Sequence, residues 1–352
     1  MIGKIILQKF RNLKEKSFEF SPKTTVIVGP NASGKTNILE SLFLLSTGKS
    51  FHARLEEEMI NYNVDISRIK GRISTNVDLE CILTRGEVEV GDSKIEKTPR
   101  KRLLVNGIPR RLIDFAGNFK VVLFGPWDMN MVVGEPSLRR RFLDTVLSQV
   151  DREYRRASLS YEKGLRQRNR LLFRIREEDL SRNQLLFWDK LLIKNGDYIS
   201  NKRGEFIEFC NSQKGLDDQN FSLTYDKSAI SESRLAQYSE EEVASATTLV
   251  GPHRDDFVFK FKEKDLARYG SRGEQRMGVL WIKLAELTFI ELKSGDLPAQ
   301  VGKPTLLLDD IFSELDHQHR NIVMNVVGKQ QTIITTADEH FVGEMKGNII
   351  KL

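Results

Sequence analysis

Residues 29–36, with the sequence Gly-Pro-Asn-Ala-Ser-Gly-Lys-Thr, have the types and spacing of a loop that binds phosphate groups. They match the P-loop pattern G-x-x-x-x-G-K-[ST] at every fixed position. Glycines at 29 and 34 allow a tight turn that aims backbone N–H groups at phosphate oxygens. Lys35 is expected to reach the β- and γ-phosphates, and Thr36 to offer its hydroxyl to Mg²⁺. The residues predicted to contact the nucleotide here are Gly29, Pro30, Asn31, Ala32, Ser33, Gly34, Lys35, Thr36 and Asn37.

The segments around this loop are those that a P-loop requires. Thr25–Val28 is a short apolar run that predicts a buried strand, and Asn37–Leu45 has apolar residues at helical spacing. A helix that follows the loop adds the positive end of its dipole to the phosphate site. A glycine-rich turn without a ligand is therefore disfavoured, because strand, loop and helix occur in the required order.

A second acidic segment could complete the site. Thr305–Leu308 predicts a buried strand that ends in Asp309 and Asp310. Carboxylates at this end of a strand lie at the sheet edge where α/β folds bind ligands. We expect Asp309 to hold Mg²⁺, directly or through water, and Asp310 to orient or deprotonate the attacking water. Alone, two solvated acids at a strand end would be a serious alternative. Together with the P-loop, Lys35, Asp309 and Asp310 are the predicted catalytic residues.

A third segment resembles the signature of ABC-type ATPases. Ser271 and Gly273 precede the apolar helix predicted from Met277 to Leu292, so the helix N-terminus could bind another phosphate. In ABC proteins this segment faces the nucleotide of a partner subunit, which requires a two-fold symmetric dimer. Ser313–Asp316 resembles the D-loop that follows. These resemblances predict an ATP-dependent homodimer with Ser271 and Gly273 among the nucleotide contacts.

Length and composition place few restrictions on the partners. The chain has 352 residues, 39% hydrophobic and 30% charged, as in an ordinary globular protein that can form two domains. No apolar run approaches the length of a membrane span, and the N-terminus does not resemble a secretory signal. Cys81 and Cys210 are far apart, which predicts neither disulfides nor a zinc site. We expect a cytoplasmic protein without a membrane partner.

The net charge of +6 is uneven along the chain. Residues 139–182 hold thirteen Lys or Arg against seven Asp or Glu. Basic residues on helices are typical of surfaces that bind phosphate backbones. A solvated helical face held by ion pairs would have the same composition. The sequence does not distinguish these two interpretations, and Arg139, Arg140 and Arg141 could equally serve within the fold.

The predicted fold is α/β, a P-loop ABC-type ATPase head with a mixed sheet, helices and an inserted helical lobe. Residues 1–127 would form the first part of the ATPase lobe, residues 128–240 the inserted lobe, and residues 241–352 the second part. The apolar spacing within 142–150 and 185–192 predicts the inserted helices. They look interrupted and too short for an SMC-type coiled coil.

The chain resembles the RecF family of SMC-like ATPases nearly from end to end. The resemblance is carried by Phe10–Asn12, Gly29–Phe51, Leu123–Asp128, Gly134–Asp144, Gln167–Leu172, Leu249–Asp256 and Leu306–Asp316. It implies ATP and Mg²⁺ as cofactors, slow hydrolysis, and duplex DNA held largely without sequence preference. It also implies a role at single-strand gaps in recombinational repair and replication restart, helping recombinase loading, with RecO- and RecR-like mediators as partners.

Several positions depart from the family pattern or leave alternatives open. Ala32 stands where relatives usually have Gly, and Thr335 or Thr336 would have to replace the switch His of many ABC enzymes. The Q-loop residue cannot be placed, although 127–128 is the nearest candidate. Arg11 and Asn12 are candidate nucleotide contacts, with a surface turn as the alternative.

Two other segments and the function of the chain have alternative interpretations. His253, Asp255 and Asp256 could bind a metal, but a structural loop is favoured because a fourth ligand lacks recognisable spacing. Residues 294–304 are expected to form a surface loop. The alternative functions are an ATPase subunit that energises another ABC-type assembly such as a transporter, a small-molecule kinase, and an ATP-gated scaffold without turnover.

Overall fold

The computed structural model describes residues 1–73, 76–90, 94–217, 219–295, 303–314, 317–338 and 347–352. The chain folds into two compact units. The first unit joins the two ends of the chain, Met1–Asp128 and Ile290–Leu352. The second unit is Met129–Phe289. No described helix has both the length and the apolar composition that a membrane span requires.

The first part of the first unit alternates strands with two helices. Its elements are β1 (Ile2–Phe10), β2 (Leu13–Glu19), β3 (Thr24–Val28), α1 (Lys35–Thr47), β4 (Ile66–Ile73), β5 (Val77–Thr84), β6 (Glu87–Val90), β7 (Lys94–Lys97), β8 (Lys101–Val105), β9 (Ile108–Arg110), α2 (Leu112–Phe115) and β10 (Val121–Phe124).

The second unit contains most of the helices and a small sheet. Its elements are α3 (Asn130–Val133), α4 (Pro136–Val150), α5 (Arg152–Glu178), α6 (Leu186–Asn211), β11 (Phe221–Asp226), α7 (Glu232–Gln237), α8 (Ser239–Ser245), β12 (Asp256–Phe261), β13 (Lys264–Asp265), α9 (Leu266–Tyr269) and α10 (Arg272–Lys293), which belongs to this unit up to Phe289.

The chain then returns to the first unit. The remaining elements are β14 (Thr305–Asp309), α11 (Ile311–Glu314), α12 (His317–Met324), β15 (Thr332–Thr336) and β16 (Asn348–Lys351).

Two large sheets form the first unit. The antiparallel sheet has the order β2-β1-β4-β5-β8-β9, and the parallel sheet has the order β10-β14-β15-β3-β16. In β1 the side chains alternate, and Ile5, Leu7 and Phe10 are buried. All residues of β3, β14 and β15 are buried, as expected for the central strands of a parallel sheet. The predicted α/β fold with both kinds of strand pairing is confirmed.

The helix α1 packs between the two sheets. Ten of its thirteen residues are buried, and its contacts include β4 and β5 of one sheet and β10, β14 and β15 of the other. One apolar core contains residues of both sheets and of α1, among them Ile69, Ile27 and Leu42. The helix that follows the P-loop is therefore fixed on all sides by apolar packing.

The second unit contains longer helices than the sequence suggested. α5 has 27 residues and α6 has 26, and the two helices pack against each other. The expectation that these helices are interrupted was wrong for α5, whose many charged residues hide its buried face in the sequence. That they are too short for an SMC-type coiled coil stays a prediction. The small sheet β11-β12-β13 packs against α6 and α4.

The division into units differs from the predicted segment boundaries at one end. The second unit begins at Met129, beside the predicted start of the inserted lobe, but it continues beyond residue 240 to Phe289. The reason is that β11 pairs with β12 along its whole length, and Trp281 of α10 packs near Phe221 of β11. Residues 241–289 thus pack with the helices rather than with the large sheets.

Candidate nucleotide site

Three neighbouring strands of the parallel sheet bring the candidate residues together. β15 lies between β3 and β14, and all three run in the same direction. Asp309 is in register with Thr335, and Thr336 is in register with Val28, the last residue before the P-loop. The carboxyl ends of the three strands therefore meet at one edge, where α/β sheets bind ligands.

The P-loop backbone adopts conformations that favour glycine. Gly34 has a φ of 105°, and a Cβ at this position would lie 2.9 Å from Oδ1 of Asn12. Ala32 has a φ of 65°, although it carries a Cβ. An alanine in this left-handed region costs roughly 1–2 kcal/mol. The loop thus adopts a left-handed conformation at a residue with a Cβ, at the cost of backbone strain.

Lys35 is folded over its own loop. Its ammonium group donates to the carbonyl oxygens of Gly29 at 2.7 Å and Pro30 at 2.9 Å, and the residue is 8% exposed. These acceptors are neutral, so an anionic phosphate oxygen would be a stronger partner for the ammonium group. The side chain is therefore held beside the loop by two carbonyl oxygens that a phosphate oxygen could replace.

Thr36 and Asp309 are in direct contact. The Thr36 hydroxyl donates to Oδ2 of Asp309 at 2.8 Å, and the Thr335 hydroxyl donates to Oδ1. Asp309 is 4% exposed, and these two hydroxyls satisfy it in its buried position. Hydroxyl and carboxylate oxygens are the ligands that Mg²⁺ prefers. The two residues predicted to hold the metal thus lie together.

Asp310 is held by its backbone. Its φ is 49°, and its N–H lies within hydrogen-bond distance of the Thr335 carbonyl at 3.1 Å and the Thr335 hydroxyl at 3.2 Å. Thr336 has another role, since its hydroxyl accepts from the N–H of Asp338 at 3.0 Å. The structure therefore distinguishes the two threonines: Thr335 contacts the acidic pair, and Thr336 supports the turn after β15.

The loop and helix fit an anionic ligand with a divalent cation. The first turn of α1 contains no carboxylate, so its free N–H groups keep their positive field. The hydroxyl oxygen of Ser33 is buried and has no hydrogen-bond partner among the described residues. A buried polar atom without a partner in such a loop is consistent with a ligand that supplies one.

Asn12 contacts the P-loop directly. Its Nδ2 donates to the Ala32 carbonyl at 3.2 Å, and its Oδ1 accepts from Nδ2 of Asn37 at 2.8 Å. The turn between β1 and β2 therefore supports the strained residue of the loop and the helix behind it.

Arg11 is engaged within the fold instead. Its guanidinium group binds both carboxylate oxygens of Glu40 and donates to the Glu58 carbonyl at 2.7 Å. The hydrogen bond to Glu40 raises the pKa of Arg11. Glu40 is 1% exposed and also accepts from the Ser50 hydroxyl. Sequence reasoning missed Glu40 and Ser50, although a carboxylate inside the apolar α1 pattern is a signal of a buried ion pair.

Ser271 lies at the start of α10 in the second unit, where it forms a capping box. Its N–H donates to the Glu274 carboxylate at 2.7 Å, and the Glu274 N–H donates back to the Ser271 hydroxyl at 3.3 Å. The hydrogen bond from the Ser271 N–H, followed by one from the Ser271 hydroxyl to the same carboxylate, lowers the pKa of Glu274. Ser271 and Gly273 are exposed, and a Cβ on Gly273 would meet nothing closer than 4.0 Å. The S-x-x-E pattern could have been recognised from the sequence but was missed.

The Q-loop candidate of the first unit is described by the structure, whereas the D-loop and surface-loop candidates are described only in part. Trp127 stacks on Phe51 with ring centroids 4.9 Å apart, and Asp128 accepts from the Gly125 N–H, so residues 127–128 contribute to packing in the Q-loop region. The D-loop candidate begins in α11, but residues 315–316 lie outside the described residues, and so do residues 296–302 of the expected surface loop.

Two of the segments that carry the resemblance, residues 134–144 and 249–256, meet in the second unit. Arg139 binds Asp256 with Nε 2.6 Å from Oδ1, and Nη1 of Arg140 donates to the Asp255 carbonyl at 2.9 Å. Asp255 is fully buried and accepts from Arg203 and from the Ser228 N–H. A buried ion-pair network therefore uses the carboxylates that were weighed as metal ligands.

His253 is neutral in this network. Its Nε2 lies 2.9 Å from the Thr248 carbonyl, which can only accept, so Nε2 carries the proton and Nδ1 accepts from the Tyr161 hydroxyl. Burial lowers the pKa of His253 to about 4. The side chain thus serves as a hydrogen-bonding link between α5 and the loop before β12.

The basic stretch 139–182 proves to be largely paired. Seven of its thirteen cations form ion pairs with described carboxylates. Arg168 is buried between Asp189 and Glu242, and Arg182 reaches Glu240 from the surface. Of the two interpretations of this stretch, the structure favours the ion-paired helical face.

Comparisons with known proteins show the family to which the chain belongs. The model of the RecF/RecN/SMC N-terminal domain family matches residues 1–351. The DNA replication and repair protein RecF of Lachnoclostridium phytofermentans is 35% identical over 354 residues, which cover 97% of this chain and 94% of that protein. RecF of Lachnospira eligens is 34% identical over 367 residues, covering 100% and 96%. The solved structure of the recombination mediator protein RecF with ATP, in the RecFOR pathway, superimposes with a TM-score of 0.87 at 28% identity over 99% of this chain and 95% of that one. This chain therefore belongs to the RecF family.

Proposed function

We propose that this chain is a Mg²⁺-dependent ATPase that binds duplex DNA when two copies close around two ATP molecules. The observation that carries the proposal is the contact between Thr36 and Asp309, which joins the P-loop to the acidic strand end. This pairing is the arrangement that P-loop ATPases use to hold the metal beside the phosphates. ATP is also the ligand of the similar RecF structure.

The residues would divide the work of hydrolysis. Lys35 would leave the carbonyls of Gly29 and Pro30 and bind the β- and γ-phosphates. Thr36 and Asp309 would hold Mg²⁺, which when bound offsets negative charge on the phosphates. Asp310 would orient the attacking water or accept its proton. Asn12, Asn37 and the loop backbone from Gly29 to Gly34 would position the nucleotide.

Ser271 and Gly273 are proposed to act on the nucleotide of a second copy. Both are exposed at the start of a long helix, whose N-terminus favours phosphate groups. The Ser271 hydroxyl would exchange Glu274 for the γ-phosphate on dimerisation. Because ATP would then be bound by both copies, it favours the closed dimer over the monomer.

The cellular task proposed for the chain follows from its relatives. The named RecF proteins belong to DNA replication and repair, and the ATP-bound structure is placed in the RecFOR pathway. We therefore propose binding at single-strand gaps in the cytoplasm, with RecO- and RecR-like proteins as partners in recombinase loading. DNA contacts would be mostly to phosphates, with little base preference.

The decisive experiment measures the molar mass by light scattering, with and without ATP and Mg²⁺, in the Asp310→Asn variant that blocks turnover. A fluorescent gapped duplex is included in parallel samples. We expect the mass to double with ATP, the doubling to be lost in Ser271→Arg but kept in the matched surface variant Ser233→Arg, and duplex binding to require ATP. A monomer that ignores ATP and DNA would refute the proposal.

A hydrolysis assay tests the catalytic assignment separately. Asp310→Asn should lower the rate of phosphate release by at least tenfold, on the scale expected for loss of a general base. Asp65→Asn removes a carboxylate that is 58% exposed in the same unit and should leave the rate unchanged. Equal rates in the two variants would show that Asp310 is not the base.

A further inference from the structure

The β8–β9 hairpin and the residues that flank it carry a concentration of positive charge. Residues 97–111 contain six Lys or Arg and no Asp or Glu, in a chain whose whole net charge is +6. The hairpin lies at the edge of the antiparallel sheet of the first unit.

Three of these cations are available to a ligand. Lys101 pairs with Glu56 at 2.7 Å, Arg100 lies 3.9 Å from Glu57, and Lys97 is directly across the strands from Glu87. The other three are Arg102, Arg110 and Arg111. They are exposed, and none of them forms an ion pair with a residue that the structure describes.

The paired cations of the helical unit make the contrast clear. Arg166, Arg174 and Arg176 are also exposed, but each is matched by a glutamate at 2.6–2.8 Å. Their positive charge is compensated locally, and a phosphate would have to compete with a carboxylate that is already present. At Arg102, Arg110 and Arg111 a phosphate would not have to displace a carboxylate of the described residues.

The hairpin is also preorganised. Asn106 and Gly107 have φ values of 52° and 75°, as the two-residue type I′ turn requires. The Asn106 side chain accepts from the N–H of Asp78 at 2.8 Å and ties the turn to β5. A rigid turn lets the flanking arginines bind without an additional cost for ordering the backbone.

The edge of this sheet is unsuited to pairing with a strand from another protein. Val105 is paired with Ile108 across the turn, and Leu103 is paired with Arg110. In both pairs the N–H and C=O groups of the two strands bond to each other and do not point outward. Pro109, between them, is the residue whose N–H would point outward, and proline has none. The ligand must therefore be recognised by side chains.

We infer that Arg102, Arg110 and Arg111 contact phosphate groups of duplex DNA at this edge of the sheet, where the register places Arg110 on the face of Leu103 and Arg102 on the opposite face. The inference rests on the proposed function, and it places a DNA-contacting surface of this chain on the β8–β9 hairpin rather than on the basic helical stretch. Guanidinium groups suit this task because they stay charged and bind phosphate oxygens in a bidentate manner. The contacts carry no base information and set affinity through the release of counterions.

The test compares two triple variants in the ATP-bound state of the full chain. One is Arg102→Gln/Arg110→Gln/Arg111→Gln, and the matched control is Arg166→Gln/Arg174→Gln/Arg176→Gln, which loses the same charge from the helical unit. Fluorescence anisotropy with a gapped duplex gives the dissociation constant at several salt concentrations. Urea unfolding and ATP hydrolysis without DNA check that both variants are folded and active.

The hairpin variant should bind DNA at least about tenfold more weakly at 0.1 M salt, since one phosphate contact alone is worth nearly that factor. The slope of log K against log salt should become shallower by about 2–3 for three lost contacts, while the control keeps the wild-type slope. An unchanged slope in the hairpin variant, or an equal loss in the control, overturns the inference. A wild-type chain that does not bind DNA with ATP overturns the proposed function and the inference together. If the triple variant does not fold, Arg110→Gln/Arg111→Gln, at the end of the edge strand and directly after it, is read in the same way.

Discussion

Arg11 and Glu40 are joined by two hydrogen bonds of 2.8 Å, from Nε to Oε2 and from Nη2 to Oε1. Glu40 lies inside the helix that follows the P-loop, and its side chain is 1% exposed. Arg11 lies on the turn between the first two strands. The pair therefore fastens this turn, which also carries Asn12, to the phosphate-binding helix.

Replacing Arg11 with Ala should lower the free energy of unfolding by about 3 kcal/mol, because Glu40 would remain buried without its counter-charge. The value is at the low end for a buried pair, since the Arg11 side chain is 20% exposed. Urea titration of Arg11→Ala, Glu40→Ala and the double variant gives the coupling energy. Lys4→Ala breaks the exposed pair with Glu19 and should cost under about 1 kcal/mol. If Arg11→Ala and Lys4→Ala lowered the free energy of unfolding equally, the stabilising role of the Arg11–Glu40 pair would be contradicted.

Gly34→Ala should abolish ATP binding while leaving the fold largely intact. The new Cβ would lie 2.9 Å from Oδ1 of Asn12, and the alanine backbone would have to adopt a φ of 105°. Isothermal calorimetry with ATP and Mg²⁺ measures the loss. The double variant Gly34→Ala/Asn12→Ala, compared with Asn12→Ala alone, separates the two causes, because it removes the closest contact but keeps the strained φ. We expect no recovery of binding, and full recovery would show that the contact with Asn12 was the whole effect.

Stability should fall as the pH decreases from about 6.5 to about 4, with His253 as one cause. Its pKa in the folded chain is lowered to about 4, so in this window the unfolded chain binds a proton that the folded chain does not. One such group changes the free energy of unfolding by at most about 1.4 kcal/mol per pH unit. His253→Gln keeps polar atoms but does not titrate, and its unfolding curves should depend less steeply on pH. An identical pH dependence in both proteins would exclude this role.

Asp255→Asn should destabilise the second unit by about 3–5 kcal/mol, as breaking a buried ion pair does. Asp255 is fully buried and accepts from Ser200, Arg203, Tyr225 and the Ser228 N–H. The amide would leave Arg203, which is 4% exposed, without this counter-charge. Chemical unfolding followed by circular dichroism measures the change. Asp226→Asn, on an exposed residue of the neighbouring strand, should alter stability by less than about 0.5 kcal/mol. Comparable losses in both variants would refute the network.

The local parts of the fold and site could be predicted from the sequence. β3, the P-loop and α1 follow one another without a break, so a motif and its flanking apolar pattern were enough to place them. The strand β14 was recognised in the same way from its apolar run and its terminal acids. The sequence could also suggest that these segments meet, because a P-loop requires an acidic strand end.

Pairings between distant residues could not be predicted. Arg11 and Glu40 are 29 residues apart, and Arg182 and Glu240 are 58 apart, so their charges alone do not reveal the partners. The long helix α5 was missed because its buried face includes Gly164 and Arg168 among Tyr161 and Leu172. A count of apolar residues overlooks such a face, although its three- and four-residue spacing is regular.

The strand before the P-loop pairs on both sides with strands from the far end of the chain. β3 pairs on one side with β15 and on the other with β16, so both neighbours come from residues 332–351. During synthesis a ribosome releases β3 long before either neighbour exists. The first 128 residues therefore emerge with the strand before the P-loop unpaired, and the three strands that carry the site can pair only after translation has passed residue 336. A chain stalled or truncated before that point would expose an apolar strand edge, which makes it a target for chaperones and proteases rather than a partly active protein.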